Sequence, residues 1–412
     1  MYDFSFSSKS LNREFSKSDF ALMPALANPA TRAQILADAE RHAEAGFNSL
    51  LLEKSNVRGR DLYQFGSLSK ELALRKLSRN IKVLTKVSQA NRDEIVKALI
   101  ALLGEGEDFD VFKIDIKNFY PSIDREYLDG RLCSDSRFPP TSYSVWQSFS
   151  RALASQNIPG LPPGLSLSAT LSEYTMRDFD RQIASLPSVY YFARYVDDMI
   201  VLTTGENDQA GFLRTVADFL PVGLRLNPKK TKGVPVRGKS NPPTLDGCFD
   251  FLGYSFSISK KYRDADNKFT RKVDVDISER KISKIKSRVI LSLIDFMRGG
   301  SFQDLEDRFR LITGNYHIYD HARSFRRKVG IYYNYSQLSL DTAKGPAELD
   351  LFLKRLLLSR DGNICRKVFA RLSSQQRRRL LKYSFSESYR SRTHYHFNAA
   401  RLAELVECWK YE

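Results

Sequence analysis

An α+β fold is predicted for this 412-residue chain by three observations. Two strand-like stretches carry acids, Val111 to Ile116 and the run VYYFARYVDDMIVLTT; a helix-patterned stretch lies between them; and from about Asp276 onward the chain reads as mostly helical and basic. Single domains usually stop growing near ~150 to 250 residues, so two or three packed subdomains are expected.

Taken in order, Thr31 to Ala45 is predicted helical: Thr31 caps it, Ala33, Ile35, Leu36 and Ala39 form an apolar stripe, and Gly46 ends it. Phe47 to Leu52 follows as a strand. A basic helical region then runs from Leu68 to Leu103, with Ile95, Leu99 and Leu102 or Leu103 on one face, and Gly104 and Gly106 close it. In Val111 to Ile116, Phe112, Ile114 and Ile116 alternate with Lys113 and Asp115, so the acid points away from the core. The two apolar runs of VYYFARYVDDMIVLTT flank Val196, Asp197 and Asp198 without Gly or Pro, which predicts a tight hairpin with carboxylates at its tip.

Between these acids lie the loop IPGLPPG and a helix from about Ser168 to Ile183. The loop LNPKKTKG follows the hairpin, Val236 to Gly247 has the composition of a flexible insertion, and Phe249 to Ser257 reads as a strand. In SERKISKIKSRVILSLIDF, Ile282, Ile285, Val289 and Leu293 line one helix face while Lys281, Lys284 and Arg288 crowd the others. No internal repeat of fixed period occurs.

Hydrophobic residues make up 42% and charged residues 27%, ordinary for a folded protein. The 65 Lys and Arg against 48 Asp and Glu leave a net charge of +17, which suits a polyanionic partner, although a merely soluble basic protein fits that number equally well. Aromatic faces among basic residues suit stacked bases, but they fill cores more often. Cys133, Cys248, Cys365 and Cys408 form no C-x-x-C pair, which argues against a disulfide framework or a zinc ribbon and implies a reducing cytosol. The opening MYDFSFSSKS lacks the basic and apolar segments of a signal peptide, and no apolar run reaches spanning length, so a soluble, cytoplasmic protein without a membrane partner is expected.

Asp115 on one strand and Asp197 with Asp198 at a hairpin tip are the equipment of two-metal nucleotidyl transfer, provided the strands are sheet neighbours. That chemistry needs two ions roughly 3.5 to 4 Å apart, and magnesium takes only one or two protein carboxylates besides substrate phosphates. YVDD alone is also compatible with a solvated turn, Asp115 alone with an ordinary strand acid, and Gly160 to Gly164 alone with a plain loop. Their joint order is what discriminates.

In that order the chain resembles the reverse transcriptases, over about Lys82 to Ile258. FKIDIKNFYPSID resembles the family's first palm signature, which implies that Asp115 binds metal with help from the Ile116 carbonyl and that Tyr120 is the steric gate excluding a ribose 2′-hydroxyl. YVDD is similar to the second metal signature. GLPPGLSLSATL resembles the Gly-x-Pro-x-Gly…Ser pattern that carries the template and floors the nucleotide pocket, so Gly160, Pro162, Gly164 and Ser168 carry over; Pro163 departs from the glutamine many members have. LNPKKTK resembles the signature whose lysine protonates pyrophosphate, here Lys230, although a solvated charge run with Lys229 and Lys232 reads as well. FDFLGYSF resembles the primer-grip hairpin, with Phe251, Leu252, Gly253 and Tyr254. Lys82, Lys86 and Arg92 sit where the family's fingers grip triphosphate, although each reads equally well as a surface helix charge.

The resemblance implies a right-hand polymerase: fingers within 1–108, an antiparallel-sheet palm over 109–258 with a fingers insertion at about 130–160, and a helical thumb with a C-terminal extension over 259–412. It implies RNA-directed DNA polymerisation with two Mg2+ ions, or Mn2+ in their place, on an RNA template with a DNA primer or product and deoxynucleoside triphosphates. About 70 residues follow Leu338, too few for an ordinary ribonuclease H or integrase domain, so a bare bacterial polymerase of retron, intron-like or defence type is expected. MYDFSFSSKSL, TGNYHIYD and GIYYNYSQL resemble the type 3 antiviral defence group, whose first reverse transcriptase works with a second one and a noncoding RNA. Untemplated or protein-primed synthesis of the abortive-infection kind, RNA-copying RNA synthesis, which the bulky Tyr120 opposes, and an inactive RNA-binding scaffold, which the intact acids oppose, are the competing readings. The run QQRRRLLK, Gln375 to Lys382, suits a phosphate backbone or a polar helix face. His317 and His321 have ligand spacing for a helix, but without a third partner packing or solvent exposure is the simpler reading.

Overall fold

A computed structural model describes residues 2–410 apart from 48–51, 58, 206–207, 321–324 and 340. Packing divides the chain into two compact units, Met1–Asn91 with Asp108–Pro235, and Arg92–Glu107 with Val236–Glu412.

In the first unit, the helix Pro29–Ala45 starts earlier than Thr31. Asn28 caps it, its side-chain oxygen accepting from the Ala30 amide at 2.9 Å, and Pro29 takes the first-turn position where no amide donor is needed. The strand expected over Phe47 to Leu52 falls mostly outside the described residues; β1 (Leu52–Val57) begins where that strand was expected to end and pairs antiparallel with β2 (Arg60–Phe65). The helical region expected from Leu68 to Leu103 is two helices, Leu68–Thr85 and Arg92–Leu103. Lys86 takes the left-handed conformation at φ +60° and stops the first, and Ser88 and Asn91 favour caps and turns over helix. The second helix packs within the other unit.

The centre of the first unit is a four-stranded sheet of β3 (Phe109–Asp115), β4 (Val189–Tyr195), β5 (Asp198–Thr204) and β6 (Lys232–Val236), in the order β4-β5-β3-β6. The most apolar strands, β3 and β5, take the two inner places. Helices cover the sheet: Phe212 of the Gln209–Asp218 helix lies 4.4 Å from Phe112, and Phe179 of the Ser166–Ala184 helix meets Phe192 edge-on. Burial of Phe112, Phe179 and Phe212 contributes roughly 1.5–3 kcal/mol each. Phe109 and Val111, on the Asp115 side of β3, are as buried as Phe112 and Ile114 on the other. The alternation expected for this strand therefore does not aim Asp115 at solvent; the acid is 2% exposed.

The second unit contains the three-stranded sheet β11-β8-β7, made of β7 (Leu245–Phe251), β8 (Tyr254–Ser259) and, after the short pair β9 (Tyr262–Arg263) and β10 (Phe269–Thr270), β11 (Val273–Ile277). The stretch Phe249 to Ser257, a single strand by its pattern and a hairpin by the resemblance, is a hairpin. Leu252 and Gly253 both have positive φ, +47° and +86°, the two-residue turn whose twist matches paired strands. The insertion expected to be flexible, Val236 to Gly247, is anchored: the Gly238 amide donates to Asp246 at 2.7 Å, and the fully buried Arg271 side chain bonds Asp246 and the carbonyls of Val236 and Ser259.

Helices Glu279–Met297, Phe302–Thr313 and Gly345–Leu358 lead the C-terminal part, as its apolar stripes predict. They are interrupted by a hairpin of β12 (Asn315–Asp320) and β13 (Phe325–Gly330). His317 therefore stands on a strand, so its helical ligand spacing with His321 does not arise, and His321 itself lies outside the described residues. Among the described residues no helix is long and apolar enough to cross a membrane.

Candidate active site

The β4–β5 hairpin closes through the pair Tyr195 and Asp198, leaving Val196 and Asp197 as a two-residue tip. Val196 has φ +61°, a region a β-branched residue avoids, at a cost of order 1–3 kcal/mol. Surrounding structure must hold that strain. Arg194 does so: 5% exposed, it bonds Glu173 at 2.6 Å and Asp180 at 2.7 Å on the Ser166–Ala184 helix, and donates to the Val196 carbonyl at 3.2 Å. Glu173 and Asp180 are seven residues apart, two helical turns, and so share the face that meets the hairpin.

On β3, Asp115 is the direct antiparallel partner of Asp198. Opposed residues have Cα atoms about 4.5–5.5 Å apart, so acids 83 positions apart in sequence become neighbours, with Asp197 adjacent at the tip. The Asp115 carboxylate accepts from the Asn227 amide at 2.8 Å and from the Lys230 ammonium at 2.9 Å, and the Asn227 backbone amide donates to the Asp115 carbonyl. Ile116 bridges antiparallel to Leu226, so the loop LNPKKTK is laid along the end of β3.

Burial pushes the Asp198 carboxyl up, and the charges of Asp197 and Asp115 add to the rise, while Lys113 and Lys230 oppose it. Carboxylates that repel one another in a half-buried place need a cation. The donor set is all oxygen, the kind hard divalent ions take, and the Lys230 ammonium on Asp115 is a stand-in for that charge. The residues fit a divalent metal.

Tyr120 lies on the short helix Phe119–Ser122, which Asn118 starts from the left-handed region at φ +48°. Burial raises its phenol, Ser172 counteracts, and the charges of Glu173 and Asp197 raise it further, so the ring shares the electrostatic environment of the tip. Gly160 packs on this helix: at φ +55°, a Cβ there would lie 2.4 Å from the Tyr120 carbonyl oxygen. Gly164, at φ +104°, would meet the Tyr63 carbonyl at 2.7 Å, and the Pro163 carbonyl accepts from the Tyr63 amide at 2.8 Å. The two glycines thus clamp the loop between β2 and the Tyr120 helix. Ser168 is buried, and its hydroxyl donates to the Pro162 carbonyl at 2.7 Å, which shapes the loop from within.

Lys82 and Lys86 are exposed at the C-terminal end of the Leu68–Thr85 helix. Arg92 is not with them; it belongs to the second unit, where its guanidinium donates to the Leu252 carbonyl at 2.6 Å and the Asn334 carbonyl at 2.8 Å and lies over the Tyr254 ring. It thereby holds the strained tip of the β7–β8 hairpin, whose Phe251 and Tyr254 are buried. In QQRRRLLK, Arg377 donates to the Phe369 and Leu372 carbonyls and Arg379 pairs with Glu306, so two of the three arginines serve the fold; Arg378 is exposed.

Asn227, Arg194, Glu173 and Asp180 were not singled out from the sequence. An arginine inside the apolar run YYFARYV was the available signal, since a buried charge requires partners. Asn227 before Pro228 reads only as a turn start.

Residues 75–256 match the family model described as reverse transcriptase (RNA-dependent DNA polymerase). No curated protein matches the chain.

Proposed function

We propose that this chain, which carries a reverse transcriptase domain over residues 75–256, polymerises deoxynucleotides on an RNA template with Asp115, Asp197 and Asp198 as its metal-binding acids. The observation that carries the reading is the cross-strand pairing of Asp115 with Asp198 beside the Asp197 tip. Two Mg2+ ions held there would supply activation of the primer hydroxyl and charge neutralisation at the triphosphate. Asn227 and the β3–β5 register fix the Asp115 carboxylate. Arg194 fixes the tip. Lys230 holds a proton at Nζ beside Asp115, the position from which we assign it protonation of the leaving pyrophosphate.

On this reading, Tyr120 screens the sugar's 2′ position, Gly160 to Gly164 form the pocket floor, and the β7–β8 tip takes the primer strand. Fingers, palm and thumb fall within 1–108, 109–258 and 259–412. The +17 charge serves phosphate binding, and the opening and the TGNYHIYD and GIYYNYSQL stretches favour a bacterial defence role with a noncoding RNA and a second reverse transcriptase. The test is primer extension by the purified chain on an RNA template with deoxynucleotides and Mg2+. Template-dependent DNA that disappears in Asp197→Asn, and ribonucleotide incorporation gained in Tyr120→Ala, support the reading. Full biological activity with unchanged RNA binding in Asp197→Ala would replace it with a scaffold role.

A further inference from the structure

We propose that His317, His394 and His396 bind one transition-metal ion of the zinc class through their imidazole nitrogens, at a site separate from the carboxylates. One ligand nitrogen from each ring lies within 4.8 Å of the others. Tetrahedral zinc with bonds of about 2.0–2.1 Å separates its nitrogens by roughly 3.3 Å, so small ring rotations close the set. Imidazoles suit zinc, copper or nickel, whereas magnesium keeps to oxygen.

The backbone builds this convergence. His317 stands on β12, and Asn315, two residues earlier on that strand, bridges in parallel to His394; the Asn315 amide donates to the Thr393 carbonyl at 3.0 Å and the Tyr395 amide to the Asn315 carbonyl at 2.7 Å. In an extended segment, His394 and His396 point to one side and Tyr395 to the other. The His394 and His396 rings are 4.9 Å apart and those of His317 and His394 are 4.4 Å apart. Among the described residues the His394 Nε2 atom is buried without a hydrogen-bond partner, an imidazole nitrogen whose natural complement is an ion. Lys328, across the hairpin from His317, has its ammonium over the Tyr333 ring.

His394 and His396 also line a cleft of about 520 Å³ with Gln303, Arg310 and Asn398, a route by which an ion or water could reach them. Asp307, in the same cleft, is already taken by Arg310 and Arg401. Bound metal would tie β12 to the 393–396 segment across the intervening chain, a staple for this part of the fold.

The test uses the full chain, stripped by chelator and held in excess Mg2+, titrated with Co2+. Intense visible bands of a four-coordinate ion, saturating at one equivalent and displaced by one equivalent of Zn2+, are expected. His317→Ala and His396→Ala should weaken binding by at least about 100-fold, and Zn2+ should raise the melting temperature of the parent but not of either variant. His396 is exposed, so its substitution leaves packing intact, and far-UV circular dichroism checks both folds. Absence of the bands in the parent, or an unchanged titration in a natively folded variant, overturns the proposal.

Discussion

Replacing Arg194 by Met removes a group that ties the strained Val196 tip to the helix behind it while keeping much of the side-chain volume. The guanidinium is 5% exposed and its partners Glu173 and Asp180 are 11% and 29% exposed, so the pair is screened little by solvent. Breaking such a buried pair from one side costs about 3–5 kcal/mol, because the remaining carboxylates stay desolvated and unpaired. That is more than a hundredfold in the folded-to-unfolded ratio, and a large share of a domain's usual ~5–15 kcal/mol. Urea unfolding measures it. The pH dependence gives a sharper test: burial already raises the Glu173 carboxyl despite Arg194, and without the arginine it rises further. A carboxyl raised in the folded state contributes stability that is fully present below its unfolded pKa and lost as pH rises through the folded value. The variant's deficit is therefore largest at neutral pH and shrinks on acidification, and adding Glu173→Gln should recover roughly half of it with a flatter pH profile. Because the tip carries Asp197, the folded variant should also need more Mg2+ for half-maximal synthesis. A loss under about 1 kcal/mol, or a deficit that grows in acid, would refute the anchoring argument.

Asp115→Asn and Asp197→Asn should each lower primer extension by roughly 10³-fold or more, about 4 kcal/mol of barrier, with the melting temperature little changed; single-turnover assays beside calorimetry check both. Lys230 is half exposed, so its ion pair with Asp115 is worth no more than about 1 kcal/mol to stability. Lys230→Met should lower the stability of the metal-free protein by no more than about 1 kcal/mol, tighten Mg2+ binding slightly by freeing Asp115, and still slow catalysis about 10²-fold if the lysine donates a proton; a Mg2+ titration of rate separates the effects. Gly160→Ala and Gly164→Ala should each destabilise by about 2–4 kcal/mol, since strained φ adds to a clash with backbone that cannot step aside, and denaturant midpoints would show it.

Much of this was readable in the chain. A period-2 run with an acid, and two β-branched runs flanking YVDD, specify strands and a hairpin because local sterics and side-chain alternation do so without help from the rest of the fold. The stop of the Leu68–Thr85 helix was missed because it depends on a non-glycine residue, Lys86, held at positive φ by its surroundings, and the hairpin turn at Leu252 and Gly253 was legible through the resemblance alone, since the strand pattern of Phe249 to Ser257 runs straight through it. Arg92 read as a triphosphate-gripping or surface cation, yet its length lets it reach carbonyls 160 and 242 positions away. His317 had only His321 to consider in sequence, while its partners His394 and His396 come from a distant extended segment.

By itself the sequence determined which residue types were present for phosphoryl chemistry and the local shapes that carry them, since acid spacing, loop glycines and alternation are properties of short stretches. Tertiary structure alone decided that Asp115 faces Asp198, that Asn227 and Lys230 close on the same carboxylate, and that Arg194 restrains the tip. Those choices rest on strand order and long-range packing, and such contacts leave no periodic trace in the chain that makes them.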